Sequence, residues 1–286
     1  MPMIVFKTVS KSFADQATAI VDFNLEIEAG DLVVITGPSG AGKTTLMKLL
    51  IREYLPSSGE ITFDHWQLNQ IKNSEIPALR RQIGVVFQDY KLIEDMNVWE
   101  NIALPLYISA KKDSEIESRV TDLLNLIGLA DKALFFPRQL SGGEAQRVSI
   151  ARALAVAPKV IFADEPTGNL DKEATLKITR LLKKINELGT TLLFATHDQL
   201  VIDELKNHKI VNLEKAKANS SHKIELNDKK NKSDSNKPKQ DGHQDRDKDR
   251  EKDKDRDKEK DKEKDKDRDQ DKNKNRDKDE KKHEST

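Results

Sequence analysis

The pattern of apolar and polar positions divides the chain into two unlike parts. Up to about Leu213, short apolar runs are punctuated by Gly and Pro, and beyond that point the sequence is almost wholly polar. Residues 4–9 and 23–27 alternate as strands do when one face is buried, because successive side chains of a strand point to opposite faces. Residues 31–36, Asp-Leu-Val-Val-Ile-Thr, are instead a nearly continuous apolar run ending at Gly37, which predicts a strand buried on both faces. Residues 160–163 and 191–195 repeat that pattern. Each of these runs ends in polar residues, where a parallel α/β sheet presents its ligand-binding loops. Residues 60–63 predict another strand after the Pro56-Ser57-Ser58-Gly59 turn, and residues 43–53 predict a helix with Leu46, Leu49 and Leu50 on one face.

Between about 89 and 157 the strand signals vanish and helical periodicity takes over. Val120, Leu123, Leu124 and Ile127 share a face, and Gly128 stands near the stop. The expectation is an α/β domain over 1–215 with a helical subdomain inserted at about 89–157.

Composition changes this picture mainly for the tail, 216–286. It accounts for the charged fraction of 35% and the mean hydropathy of -0.72. Every residue over 245–269 is charged and the sign alternates at each step. A helix there would set like charges at i and i+4, each pair costing about 0.2–0.5 kcal/mol. No apolar surface is present to offset chain entropy, so the tail is expected to be disordered. Overall charge is zero, with 50 basic and 50 acidic residues, which argues against a non-specific nucleic-acid partner. The lack of cysteine excludes disulfides and thiolate sites. The N-terminus has no signal-peptide pattern, and no apolar run approaches the roughly 18 residues of a membrane span. Work at a membrane would therefore need a partner.

Three motifs carry candidate chemistry. Gly37-Pro38-Ser39-Gly40-Ala41-Gly42-Lys43-Thr44, followed by Thr45, lies between a predicted strand and a predicted helix. Its glycines would let backbone N–H groups wrap triphosphate oxygens, with Lys43 on the β- and γ-phosphates and Thr44 on Mg²⁺. Asp164 and Glu165 end the run 160–163, so a buried strand delivers two carboxylates, Asp164 for the metal and Glu165 as a general base. In Ser141-Gly142-Gly143-Glu144, Ser141 and Glu144 form a capping box for the helix that follows. A cap does not require two glycines, each costing up to about 1 kcal/mol in a helix. They make sense where phosphate must approach, and a second anion site in one chain points to a head-to-tail dimer sharing each ATP.

These motifs, in this order, resemble those of the ATP-binding cassette family, over about residues 1–213. The resemblance implies a phosphate-loop nucleotidase core with an antiparallel β subdomain and an inserted helical one. It implies ATP and Mg²⁺ as ligands and hydrolysis to ADP and phosphate. It gives Phe13 adenine stacking, Gln88 magnesium sensing between core and helical subdomain, Asp171 a place in a loop across the dimer interface, and His197 contact with the γ-phosphate. The stretches Ile76-Pro77-Ala78-Leu79-Arg80-Arg81-Gln82-Ile83-Gly84-Val85-Val86-Phe87-Gln88-Asp89 and Glu100-Asn101-Ile102-Ala103-Leu104-Pro105-Leu106 are similar to those of cell-division cassettes. Such cassettes imply an integral membrane partner, docked near 89–93, and a peripheral location at the cytoplasmic face of the cell membrane. The run 164–171 is shared with lipoprotein-release and macrolide-export cassettes, so the partner distinguishes these jobs.

Overall fold

A computed structural model describes residues 1–13 and 18–214. The expectation of a disordered tail falls outside those residues. Strands β1 (Ile4–Ser12) and β2 (Thr18–Ile27) pair antiparallel, Ile4 opposite Ile27 and Phe6 opposite Leu25. Strand β3 (Leu32–Thr36) leads into helix α1 (Lys43–Leu50), after which β4 (Ser58–Phe63) and the short β5 (Trp66–Gln67) complete a four-stranded antiparallel sheet in the order β2-β1-β4-β5. Helix α2 (Ile76–Arg81) and strand β6 (Ile83–Val86) precede three helices, α3 (Val98–Ile108), α4 (Asp113–Ile127) and α5 (Gly142–Leu154). The chain returns through β7 (Val160–Asp164), α6 (Lys172–Glu187), β8 (Thr191–Thr196), α7 (Gln199–Glu204) and β9 (Lys209–Asn212).

Strands β6-β7-β8-β3-β9 form a second sheet in that order, with every pairing parallel. Strands β3, β7 and β8 are buried along their whole length, which is why they read as apolar runs rather than alternations. Alternate residues serve different cores. Leu32, Val34, Ile161, Ala163, Leu192 and Phe194 pack with the helices α3 to α7. Val33, Ile35, Val160, Phe162, Leu193 and Ala195 pack with α1 and the antiparallel sheet. Each large aliphatic side chain so buried contributes about 1.5–3 kcal/mol.

The pairing also builds the site. Thr36 lies opposite Thr196 and Asp164 opposite Ala195, so β3, β7 and β8 end side by side and their loops converge.

The structure adds to the sequence expectation at several places. Helix α1 stops at Leu50 rather than near Glu53, because Arg52 turns left-handed (φ 57°) and the N–H groups of Glu53 and Tyr54 both bond Lys48 O. Strand β6 continues the parallel sheet before the helical segment starts, and β9 closes its other edge. Gly128 ends α4 in the left-handed conformation (φ 65°), as its position at the stop predicts.

Candidate nucleotide site

The loop from β3 to α1 closes on its own lysine. Gly42 caps α1 at φ 109°, and a Cβ there would stand 2.7 Å from Ala19 O, so only glycine fits. Lys43 is 5% exposed; its Nζ donates to Gly37 O at 2.6 Å and Pro38 O at 3.1 Å, and lies 3.0 Å from Glu165 Oε1. The same Oε1 is 2.8 Å from His197 Nδ1. A lysine, a carboxylate and an imidazole from three loops are thus held in one chain of contacts. Glu165 follows β7 with φ 48°, a conformation that non-glycine residues avoid at a cost of roughly 1–3 kcal/mol, and its N–H is anchored by Ala195 O at 2.9 Å.

Asp164 sits one layer deeper. Its Oδ2 accepts a 2.7 Å bond from Thr44 Oγ1, while its buried Oδ1 has no partner among the described residues. Burial raises the Asp164 pKa above the ordinary carboxylate range, partly opposed by the Thr44 hydroxyl. Such a site favours whatever brings positive charge.

Ser39, Gly40, Gly42, Lys43, Thr44, Thr45, Gln88, Glu165 and His197 line one cavity of about 430 Å³. Gly37, Pro38 and Ala41 belong to the loop without lining it, and Asp164 reaches it through Thr44. Gln88 is brought in by the stretch after β6, and its Nε2 lies 3.5 Å from Asn169 Oδ1. Phe13 does not line this cavity; its ring meets Tyr54 edge-on at 5.4 Å, with Lys11 Nζ 5.2 Å from its centre.

Ser141, Gly142, Gly143, Glu144 and Asp171 line a different cleft, of about 390 Å³. The capping box is present: Ser141 Oγ accepts from Glu144 N, and Glu144 Oε2 accepts from Ser141 N at 2.9 Å. Lys132 Nζ donates to Glu144 Oε1 at 2.5 Å; with these bonds the Glu144 pKa falls to about 2. Gly142 has a packing reason as well, since a Cβ there would stand 2.8 Å from the Tyr90 hydroxyl. Asp171 caps α6, with Oδ1 accepting from Ala174 N at 2.8 Å. Arg147, Glu173 and Lys177 also line this cleft, and sequence reading missed them. Arg147 lies one helical turn beyond Gly143, a spacing that could have flagged it.

Comparison with known proteins identifies the family and the fold. Residues 20–168 match the family model described as ABC transporter. The cell division ATP-binding protein FtsE of Bacillus subtilis is 44% identical over 208 residues, covering 73% of this chain and 91% of the relative. FtsE of Escherichia coli K12 is 46% identical over 196 residues, covering 68% and 88%. Among solved structures, a dimeric post-hydrolysis form of the cassette MJ0796 bound to ADP and Pi is similar at 39% identity. Its TM-score is 0.64, with 70% of this chain and 90% of that one covered. CbiO1 of Clostridium perfringens is similar at 32% identity and TM-score 0.64, covering 69% and 79%. With its phosphate loop, paired carboxylates and capped Ser-Gly-Gly turn carried on two sheets and a helical insert, the chain belongs to the ABC transporter family, as one of its ATPase cassettes.

Proposed function

We infer that the chain hydrolyses ATP as a head-to-tail homodimer beneath a membrane subunit, the FtsE-like ATPase of a cell-division complex. One observation carries this reading: the cleft around Lys43 holds a base and a histidine but no residue of the Ser141-Gly142-Gly143-Glu144 turn. Two anion-binding loops in separate clefts of one chain suit a second copy that brings them together.

In this reading the Lys43 ammonium exchanges Gly37 O, Pro38 O and Glu165 for the β- and γ-phosphate oxygens. Glu165, freed of Lys43, orients the attacking water and takes its proton, and His197 beside it contacts the γ-phosphate. The backbone of residues 39–45 cradles the phosphates at the start of α1. Phe13 offers its ring to adenine. The second copy contributes Ser141, Gly142, Gly143 and Glu144 to the γ-phosphate, and Asp171 lies along the seam.

The donor set fits a magnesium ion. Thr44 and Asp164 are hard oxygen ligands already in contact, and Asp164 Oδ1 is buried without a protein partner among the described residues. Gln88, which lines the same cavity, would supply an amide oxygen. Among the described residues there is no cluster of three or more acidic, His or Cys ligands, which suits a metal held largely by phosphate and water. When bound, the ion neutralises charge building on the phosphate oxygens.

Among the described residues no helix is long and apolar enough to cross a membrane, so attachment at the cytoplasmic face would run through an FtsX-like subunit. A groove of about 400 Å³, lined by Arg80, Arg81, Phe87, Leu104, Pro105 and Ile108, supports docking there, next to residues 89–93. The cassette would span 1–215, and its work would be regulation of cell-wall hydrolysis. The test is Glu165→Gln in the full chain. Turnover should fall by at least about 100-fold while ATP-dependent dimers accumulate and carry the membrane subunit through purification. Hydrolysis at the wild-type rate would refute the assignment of the base, and a monomer with bound ATP would refute the shared site.

A further inference from the structure

The stretch that follows β6 lines one cleft and packs against a residue of the other. Gln88 lines the cavity around Lys43, and two residues later the Tyr90 hydroxyl lies over Gly142, a residue that lines the second cleft. In the dimer proposed above these clefts hold different ATP molecules, so residues 88–90 are a three-residue bridge between them. What makes such a bridge stiff is its attachment to α5, the helix that Gly142 begins.

That attachment is made at three levels of the helix. Near its start Gly142 lies under Tyr90. One turn on, Gln146 Nε2 donates to Phe87 O at 3.3 Å. In the last turn Arg152 Nη1 donates to Lys91 O at 2.6 Å and Nη2 to Tyr90 O at 2.9 Å. Tyr90 and Lys91 are both left-handed, at φ 58° and 50°, so their two carbonyls converge on the one guanidinium. A planar fork can hold two carbonyls in a fixed direction where an ammonium cannot. On the far side the fully buried Asn101 holds the next residues, accepting from Ile93 N and donating to the carbonyls of Ile93, Met96 and Asn97.

We propose that Arg152 is a positioning residue for ATP hydrolysis: it fixes residues 88–91 to α5, so that Gln88 in one site and Gly142 in the other move as one body. This rests on the shared-site reading. It requires that Arg152 act on dimer formation and turnover and not on nucleotide affinity, since it touches no residue that lines the Lys43 cavity.

The experiment compares Arg152→Ala, Arg152→Lys and Tyr90→Ala in the full chain, with Ser141→Arg as the control on the shared site. Nucleotide affinity of the monomer should stay within about two-fold of wild type in all three. Turnover at saturating ATP should drop by about ten-fold or more in Arg152→Ala, and ATP-dependent dimerisation in the Glu165→Gln background should need about ten-fold more protein. Arg152→Lys, which reaches one carbonyl, should recover only part of the loss. Tyr90→Ala leaves the grip of Arg152 on the main chain intact and should weaken dimerisation in the same direction, which guards against misfolding of the Arg152 variants. Wild-type turnover in Arg152→Ala, full recovery in Arg152→Lys, or affinity lost in step with turnover would overturn the proposal. Wild-type turnover in Ser141→Arg would overturn the shared site itself, and this proposal with it.

Discussion

Asn101→Ala isolates the energetic weight of one buried amide. Asn101 is 0% exposed and makes four bonds of 2.9–3.1 Å to the loop 93–97. Two of its partners have other donors: Ile93 O accepts from Met96 N, and Asn97 O from Asn101 N. The remaining two, Ile93 N and Met96 O, have no other partner among the described residues. Truncation strands both, at about 1–3 kcal/mol each, and adds a small cavity, for a total of about 3–5 kcal/mol. At roughly 2–4 °C per kcal/mol for a domain of this size, the melting temperature should fall by about 10 °C. The neighbouring N-cap is the internal comparison. Asn97 accepts from Glu100 N at 2.9 Å on an exposed edge, so Asn97→Ala should cost only about 1 kcal/mol. Urea denaturation of both variants measures the difference. Equal losses, or a loss below about 1 kcal/mol for Asn101→Ala, would mean that water replaces the amide and that the loop does not depend on it.

Two further outcomes follow from the site. Glu144, ordinarily near pKa 4.5, is held at about 2 by Lys132 and the Ser141 backbone, so its ionised form stabilises the fold above the ordinary value and that contribution is lost as pH falls towards 2. Lys132→Met should therefore flatten the acid limb of a stability-against-pH curve between about pH 4.5 and 2, and an unchanged limb would count against the contact. Gly42→Ala places a side chain at φ 109° and 2.7 Å from Ala19 O, so it should lose at least about 1–2 kcal/mol of stability together with nucleotide binding; retention of both would refute the fit.

Much of the site was legible because its chemistry is local. The phosphate loop and the run 160–165 each carry their residue types consecutively, and wholly buried strands such as β3 announce themselves as apolar runs. Short edge strands do not. Strand β9 is four residues long with Lys209 and Ile210 exposed, and β6 is a four-residue strand containing Gly84, so neither offers enough apolar contrast to stand out from a loop. Pairings across the fold were equally silent. Nothing in the sequence links Tyr90 to Gly142 or Arg152 to the carbonyls of Tyr90 and Lys91, because those contacts depend on where α5 packs. The glycine at 142 was read as room for phosphate, and the structure adds a neighbour that also requires it.

The parallel sheet divides the interior into two neighbourhoods, and adjacent codons fall on opposite sides of the divide. Val33 packs among Met47, Leu50 and Phe63, whereas Val34 belongs with Ile102, Ile150 and Leu182. Because side chains that share contacts couple, a change at Val34 is offset more readily by its companions in the helices than by Val33 on the other face. Compensation for a change in a buried strand is therefore to be sought on its own side of the sheet, among residues far apart along the chain.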